Sequence, residues 1–207
     1  MSVTRRLSAL PDRLRARRDY FSTVAAIDAA KAVDPGCAWA DLHWHAVMLD
    51  AADLEAQTTP CVNVVLVTAR KEGLFAGVRT AIFTAARLAS ALGVALRVLS
   101  LQSIRPEDVL VVEDVVRDAA GRDQYVITVG VHDFAGLEAS AADVWLATYW
   151  TTALCMQALC RRGRLQPSRV AYLVQDYEPA FYPASTDAAT AAATYRAGFH
   201  LVVNSAP

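Results

Sequence analysis

Neither sign of charge dominates this chain: 20 basic residues stand against 21 acidic ones. That balance argues against a general nucleic-acid binder, which needs a basic surface. Apolar residues reach 55% while charged residues make up 20%, which argues against a disordered chain. Cysteine is scarce. Cys37, Cys61, Cys155 and Cys160 form no C-x-x-C pair and have no His at metal-ligand spacing, so no metal is expected and they read as small buried hydrophobes of a reduced compartment. The sequence also lacks a signal-peptide apolar core and any run of about 18 apolar residues, so a soluble, cytoplasmic protein is expected. Three glycine motifs are missing as well. Without G-x-G-x-x-G an ordinary dinucleotide site is not expected; without G-x-x-x-x-G-K-[ST] a P-loop is excluded; without G-x-S-x-G there is no hydrolase elbow.

What is present fills 207 residues, enough for one domain, or one domain with a helical extension. Residues 1–60 read as the extension. Arg5, Arg6, Arg13, Arg15, Arg17 and Arg18 outnumber Asp12 and Asp19, with Leu7, Leu10 and Leu14 at helical spacing. Two readings of this run are open: a solvated helix face, or a peripheral electrostatic contact with an anionic membrane. A helix over 21–34 ends at Pro35-Gly36. His43 and His45 would share one face of a strand, but no Cys or carboxylate stands at a spacing that completes a metal site.

From Cys61 onward the pattern changes. Cys61-Val62-Asn63-Val64-Val65-Leu66-Val67 is a β-branched apolar run suited to a strand buried on both faces. A loop, Thr68 to Gly77, leads into a helix from Val78 to Leu92 with Gly93 as its C-cap, and Ala95 to Leu101 is a second strand. Right-handed βαβ connection follows. Residues 106–116 fit either a short helix or an extended piece. Further strands are expected over 125–131, 144–148, 169–175 and 199–203, with helices over 151–162 and 186–196. Alternation of this kind predicts a Rossmann-like, doubly wound parallel sheet over 61–207.

Ligands of such sheets bind beyond the carboxyl ends of the strands, so the loops there hold the candidate residues. Gly73 and Gly77 are four apart in the first of these loops, with Arg70 and Lys71 beside them. Glycine lets backbone approach a ligand, and the following helix N-terminus favours a group such as pyrophosphate; a plain glycine turn explains the same residues. His132 and Asp133 end another strand, where a His could donate to a sugar hydroxyl or a developing charge, or simply cap and pack. The densest cluster is Gln175-Asp176-Tyr177-Glu178-Pro179-Ala180-Phe181-Tyr182-Pro183. Asp176 and Glu178 are two apart and share a side if the backbone stays extended. Carboxylates accept from vicinal hydroxyls, either acid could orient or deprotonate an attacking hydroxyl, and aromatic rings stack on sugar faces. The competing account has Asp176 cap a turn and Glu178 pair with an arginine. Trp150 reads as core.

Val62-Asn63-Val64-Val65-Leu66 with Glu72 to Gly77, then Ala147-Thr148-Tyr149-Trp150-Thr151-Thr152-Ala153, then Tyr172 to Pro183, and finally Val203-Asn204-Ser205 together resemble the N-terminal half of WsaF-type rhamnosyltransferases. These are GT-B glycosyltransferases grouped with glycosyltransferase family four, and the resemblance spans about residues 60–207. It implies the acceptor-side half of an enzyme that transfers rhamnose from dTDP-rhamnose to a glycan or lipid-linked glycan, with no other cofactor. The family's C-terminal nucleotide-sugar domain has no counterpart in these residues, so a chain of this extent is expected to be inactive alone. On that basis Asp176 and Glu178 are the expected acceptor contacts, His132 lies near the reaction centre, and Gly73, Gly77 and Arg70 stand toward the pyrophosphate. Phe75-Ala76-Gly77 departs from the family's pair of glycines. A non-catalytic α/β module that binds a glycan or small ligand is the alternative.

Overall fold

Residues 59–203 are described by the computed structural model. The expectations for residues 1–58, among them the basic helix, Cys37, His43 and His45, lie outside the described residues, as does 204–207. Six strands, β1 (Cys61–Leu66), β2 (Ala95–Ser100), β3 (Val126–Gly130), β4 (Val144–Ala147), β5 (Val170–Val174) and β6 (His200–Val203), form one sheet. Their order is β3-β2-β1-β4-β5-β6, and every pairing is parallel. The order reverses between β1 and β4, so the topological switch point, and with it the natural crevice, lies at the carboxyl ends of those two strands.

Four helices connect them: α1 (Ala76–Leu92), α2 (Pro106–Ala120), α3 (Trp150–Arg161) and α4 (Thr186–Thr194). Period-two alternation sorts β1 and β2 between two cores. Val62, Val64, Leu66, Leu96 and Val98 pack with Ile82, Ala85 and Ala86 of α1 and Val112, Val115 and Val116 of α2. Val65, Leu99, Trp145 and Tyr172 pack with Met156 and Leu159 of α3 on the other face. Helix α1 ends where the sequence indicates, at Gly93 with φ 66°, a conformation that suits glycine. Segment 106–116, which the sequence leaves open, is helical and belongs to α2. Asp108 accepts from the Arg105 N–H at its N-terminus (2.8 Å), while Val112, Val115, Val116 and Ala119 make its buried stripe.

One polar cluster interrupts the apolar layers. Asn63 and Arg97, paired in register, share the sheet face that carries Val65 and Leu99. Asp143 accepts from the Cys61 N–H (2.7 Å), the Asn63 amide (2.8 Å) and Arg97 (3.3 Å), and Arg97 also donates to Asn63 Oδ1 (2.9 Å). Both charged side chains are buried. The cluster sits toward the amino ends of β1 and β4, far from the crevice, and ties those strands together.

Cys61 and Cys155 are buried and Cys160 is half-buried, all three as free thiols. Burial pushes the Cys155 thiol up to about 12 and that of Cys160 up to about 11, so both are poor nucleophiles.

Candidate functional site

Beyond the switch point lies a cleft of about 190 Å³, lined by Val67, Gly77 and Val78 on one side, Thr148 and Tyr149 behind, and Gln175, Asp176, Glu178 and Phe181 opposite. Strand β1 feeds the first group, β4 the second and β5 the third. The Thr148 hydroxyl donates to the Val65 carbonyl (2.8 Å), pinning the ends of β1 and β4 to each other. Gly77 lies directly against Gln175: a β-carbon at position 77 would stand 2.9 Å from Gln175 Oε1. The glycine loop and the acidic-aromatic loop, about a hundred residues apart in sequence, therefore face one another across this crevice.

The two acids of the second loop have different fates. Tyr177 adopts φ −78° and ψ 81°, and the Glu178 N–H donates back to the Asp176 carbonyl (3.0 Å). This is an inverse γ-turn, and it ends the extended backbone that would have put both carboxylates on one side. The expectation of paired, open carboxylates is corrected accordingly. Glu178 turns inward and is 2% exposed. Its Oε2 accepts from the Trp150 N–H (2.6 Å) and from the Tyr172 hydroxyl (2.7 Å), so it caps α3 and pairs with no arginine among the described residues. Burial raises its carboxyl above the usual carboxylate range, opposed by those two hydrogen bonds and reinforced by the nearby Asp176 charge. Burial and the bond to Glu178 likewise raise the Tyr172 hydroxyl.

Asp176 remains exposed. It lines the cleft, and its carboxylate takes no hydrogen bond or ion pair from any described residue. The same holds for the Gln175 amide, which sequence reasoning did not single out; its one signal was its place as the first residue past β5. Tyr149 was also missed. Its hydroxyl meets that of Tyr182 (2.8 Å), which accepts from Trp150 Nε1 (2.9 Å), and burial followed by the Tyr182 bond pushes the Tyr149 phenol up to about 12. Trp150 is buried, as read from sequence, yet two of its N–H groups also hold the loop in place. Phe181 and Tyr177 are exposed at the rim; Tyr177 stacks on Tyr195, which in turn stacks on Tyr172.

Electrostatics give the cleft a polarity. Two helix N-termini approach the switch point. That of α3 is neutralised by Glu178, whereas that of α1 has no side-chain cap. Its first N–H groups, Gly77 and Val78 among them, have no intrahelical partner and carry the positive end of the helix dipole. The cleft thus offers donors and partial positive charge on one wall and an unpaired carboxylate on the other.

The remaining sequence candidates separate. Arg70 and Gly73 line a neighbouring pocket rather than this cleft. The structure does not bring His132 into either: it lies on the exposed turn Val131–Gly136 after β3. Strand β2 intervenes between β3 and β1, an offset of about 10 Å at ordinary strand spacing. No cluster of His, Cys, Asp or Glu suited to a metal ion occurs among the described residues, and none of the described helices is long and apolar enough to cross a membrane.

The two loop glycines differ in what demands them. A β-carbon at Gly73 would meet Thr68 Cγ2 at 2.5 Å, a short branched side chain with little room to yield. At Gly77 it would meet only the movable end of Gln175. Gly73→Ala is expected to cost about 1–3 kcal/mol through overpacking. Gly77→Ala should be neutral or gain up to about 1 kcal/mol from helix propensity. Urea unfolding midpoints check this, and equal losses at both positions would show that Gly77, too, is required by the fold.

These features define a Rossmann-like α/β domain with a polar, aromatic-rimmed cleft at its switch point. The family model described as WsaF, N-terminal domain, matches residues 61–204, and the chain belongs to that family. It is thereby a glycosyltransferase-related region. Among curated proteins none matches the sequence.

Proposed function

We propose that this domain forms the acceptor-side wall of a glycosyltransferase that moves a sugar, rhamnose from dTDP-rhamnose, onto a hydroxyl of a glycan. The cleft receives the acceptor sugar. Asp176 accepts a hydrogen bond from the attacking hydroxyl, Gln175 holds a neighbouring one, and Phe181 offers an apolar face to the ring. The uncapped N-terminus of α1 at Gly77 faces the negative charge that builds on the departing nucleoside diphosphate, a preorganised donor set of the kind that favours a charged transition state. The domain supplies position and electrostatics; the nucleotide itself would be held by a second domain.

The observation that carries this reading is the unspent carboxylate of Asp176 in a cleft whose opposite wall is an open helix N-terminus. Substrates bearing both a hydroxyl nucleophile and a diphosphate leaving group match that polarity. An inverting transfer would use Asp176 as general base. A retaining one would need it only to orient the hydroxyl.

Product analysis of the full-length protein with dTDP-rhamnose and a rhamnan acceptor tests the proposal. Asp176→Asn is expected to lower kcat/KM about a hundredfold if the carboxylate takes the proton, and about tenfold if it only orients the hydroxyl. Transfer within threefold of wild type would remove Asp176 from the site. Tight glycan binding with no transfer under any donor would favour the binding-module reading instead.

A further inference from the structure

The loop that lines the cleft through Gly77 turns its other side to a second, larger pocket of about 560 Å³, over the carboxyl ends of β1 and β2. Arg70, Glu72, Gly73, Gln102, Ser103 and Arg105 contribute to its walls. We propose that this pocket binds a single oxyanion group, the phosphate or carboxylate of a charged acceptor glycan, one or two residues away from the sugar held in the cleft. The inference rests on the acceptor reading of the cleft for its identity as part of a glycan, though not for the oxyanion itself.

The two arginines of the pocket are in opposite states. Arg105 is fully engaged by carboxylates: Nη2 donates to both oxygens of Glu72 (2.7 and 2.8 Å), with Asp108 at 3.0 Å and Glu107 at 3.2 Å. Those bonds hold the Asp108 and Glu72 carboxyls below their ordinary range. Arg70 has no carboxylate of a described residue within ion-pair distance. Its guanidinium is fixed by one neutral residue, Nε donating to the Ser103 carbonyl (2.9 Å) and Nη2 to the Ser103 hydroxyl (2.6 Å). A guanidinium carries five N–H donors, so three remain for a ligand. Orienting an arginine fork through a neutral anchor while leaving its charge uncompensated is the arrangement that planar oxyanion recognition needs. Of the two lining arginines, only Arg70 carries a charge that no carboxylate of a described residue offsets, which suits one oxyanion and no more.

Position ties the pocket to the cleft. The pocket sits on the β2 side of β1 and the cleft on the β4 side. Neighbouring strands are about 4.8 Å apart, so the two sites lie on the order of 5–10 Å from each other, within reach of consecutive sugar residues.

The test is a chemical-shift titration of the isotope-labelled 207-residue chain with glucose 1-phosphate, glucuronate, inorganic phosphate and neutral methyl rhamnoside. The charged sugars are expected to shift the amide signals of Gly73 and Ser103, and Arg70→Gln should weaken them about tenfold or more without altering the response to the rhamnoside. Arg70→Lys should recover only part of the affinity, because a point charge lacks the fork. The preference between phosphate and carboxylate sugars identifies the source of the oxyanion, and inorganic phosphate alone should bind more weakly than either. Equal binding by wild type and Arg70→Gln overturns the proposal, and so does a response confined to Gly77 and Val78, or no response at Gly73 and Ser103. If the charged probes act as expected while the rhamnoside leaves Gly77 and Gln175 unmoved, the oxyanion pocket stands and the acceptor reading of the cleft falls.

Discussion

Replacing Arg97 by Met is expected to lower the stability of the domain by about 3–5 kcal/mol at neutral pH, the usual consequence of removing one member of a buried ion pair. The reason is what stays behind. Asp143 keeps the Cys61 N–H and the Asn63 amide but loses its buried cation. A buried carboxylate without a counter-charge is strongly disfavoured in its ionised form. Urea denaturation of wild type and variant measures the loss. Arg97→Met combined with Asp143→Leu should recover much of the loss, because replacing a whole buried pair by apolar groups of similar size is often close to neutral. A single variant with wild-type stability would show that the cluster does not hold β1 to β4.

Glu178→Ala is the second large effect, expected at about 2–4 kcal/mol from the lost cap of α3 and the stranded Tyr172 hydroxyl and Trp150 N–H. Glu178→Gln separates the cap from the charge. A glutamine oxygen can still accept from Trp150 and Tyr172, so its loss at acid pH should be small. Above that the two proteins diverge in a defined direction. Burial raises the folded-state pKa of Glu178 above its unfolded value, so the wild type loses stability as pH rises from the ordinary carboxylate range through the raised value. The glutamine variant does not carry that loss. Its stability relative to wild type should therefore improve with pH. Taking the difference between the two proteins cancels Asp108, whose lowered carboxyl acts in the opposite sense: its stabilisation is present above the ordinary carboxylate range and is lost as pH falls below it. A difference that stays flat with pH would mean that Glu178 ionises in the folded domain as freely as in the unfolded chain.

Much of this architecture was legible in the chain. The runs Cys61–Leu66 and Ala95–Ser100 are buried strands because their β-branched, apolar composition fits nothing else of that length, and Gly93 ends α1 because a left-handed residue was needed there. Segment 106–116 resisted because its valines suit a strand by propensity and a helix by spacing. The buried stripe against α1, with Asp108 closing the first turn, decided for the helix. The loops carried a mixed signal. The place of Asp176 beside the cleft was legible from its position at a strand end. Glu178 was misread because its role depends on a single γ-turn at Tyr177, which alternation rules cannot foresee. His132 fits the chemistry by residue type but sits at the end of β3, an edge strand of the sheet, and residue type says nothing about strand order.

The sequence by itself determined the alternation of strands and helices, the burial of β1, and membership of the family, since hydrophobic period and a few loop motifs are local properties of the chain. Only the tertiary structure decided that β1 lies beside β4. That pairing places the reversal of strand order at the cleft, brings Gly77 against Gln175, and leaves Arg70 across β1 in a pocket of its own. The physical reason is that period and propensity fix what a segment is and which way its side chains point, while its neighbour in the sheet is chosen by packing between residues far apart in the chain.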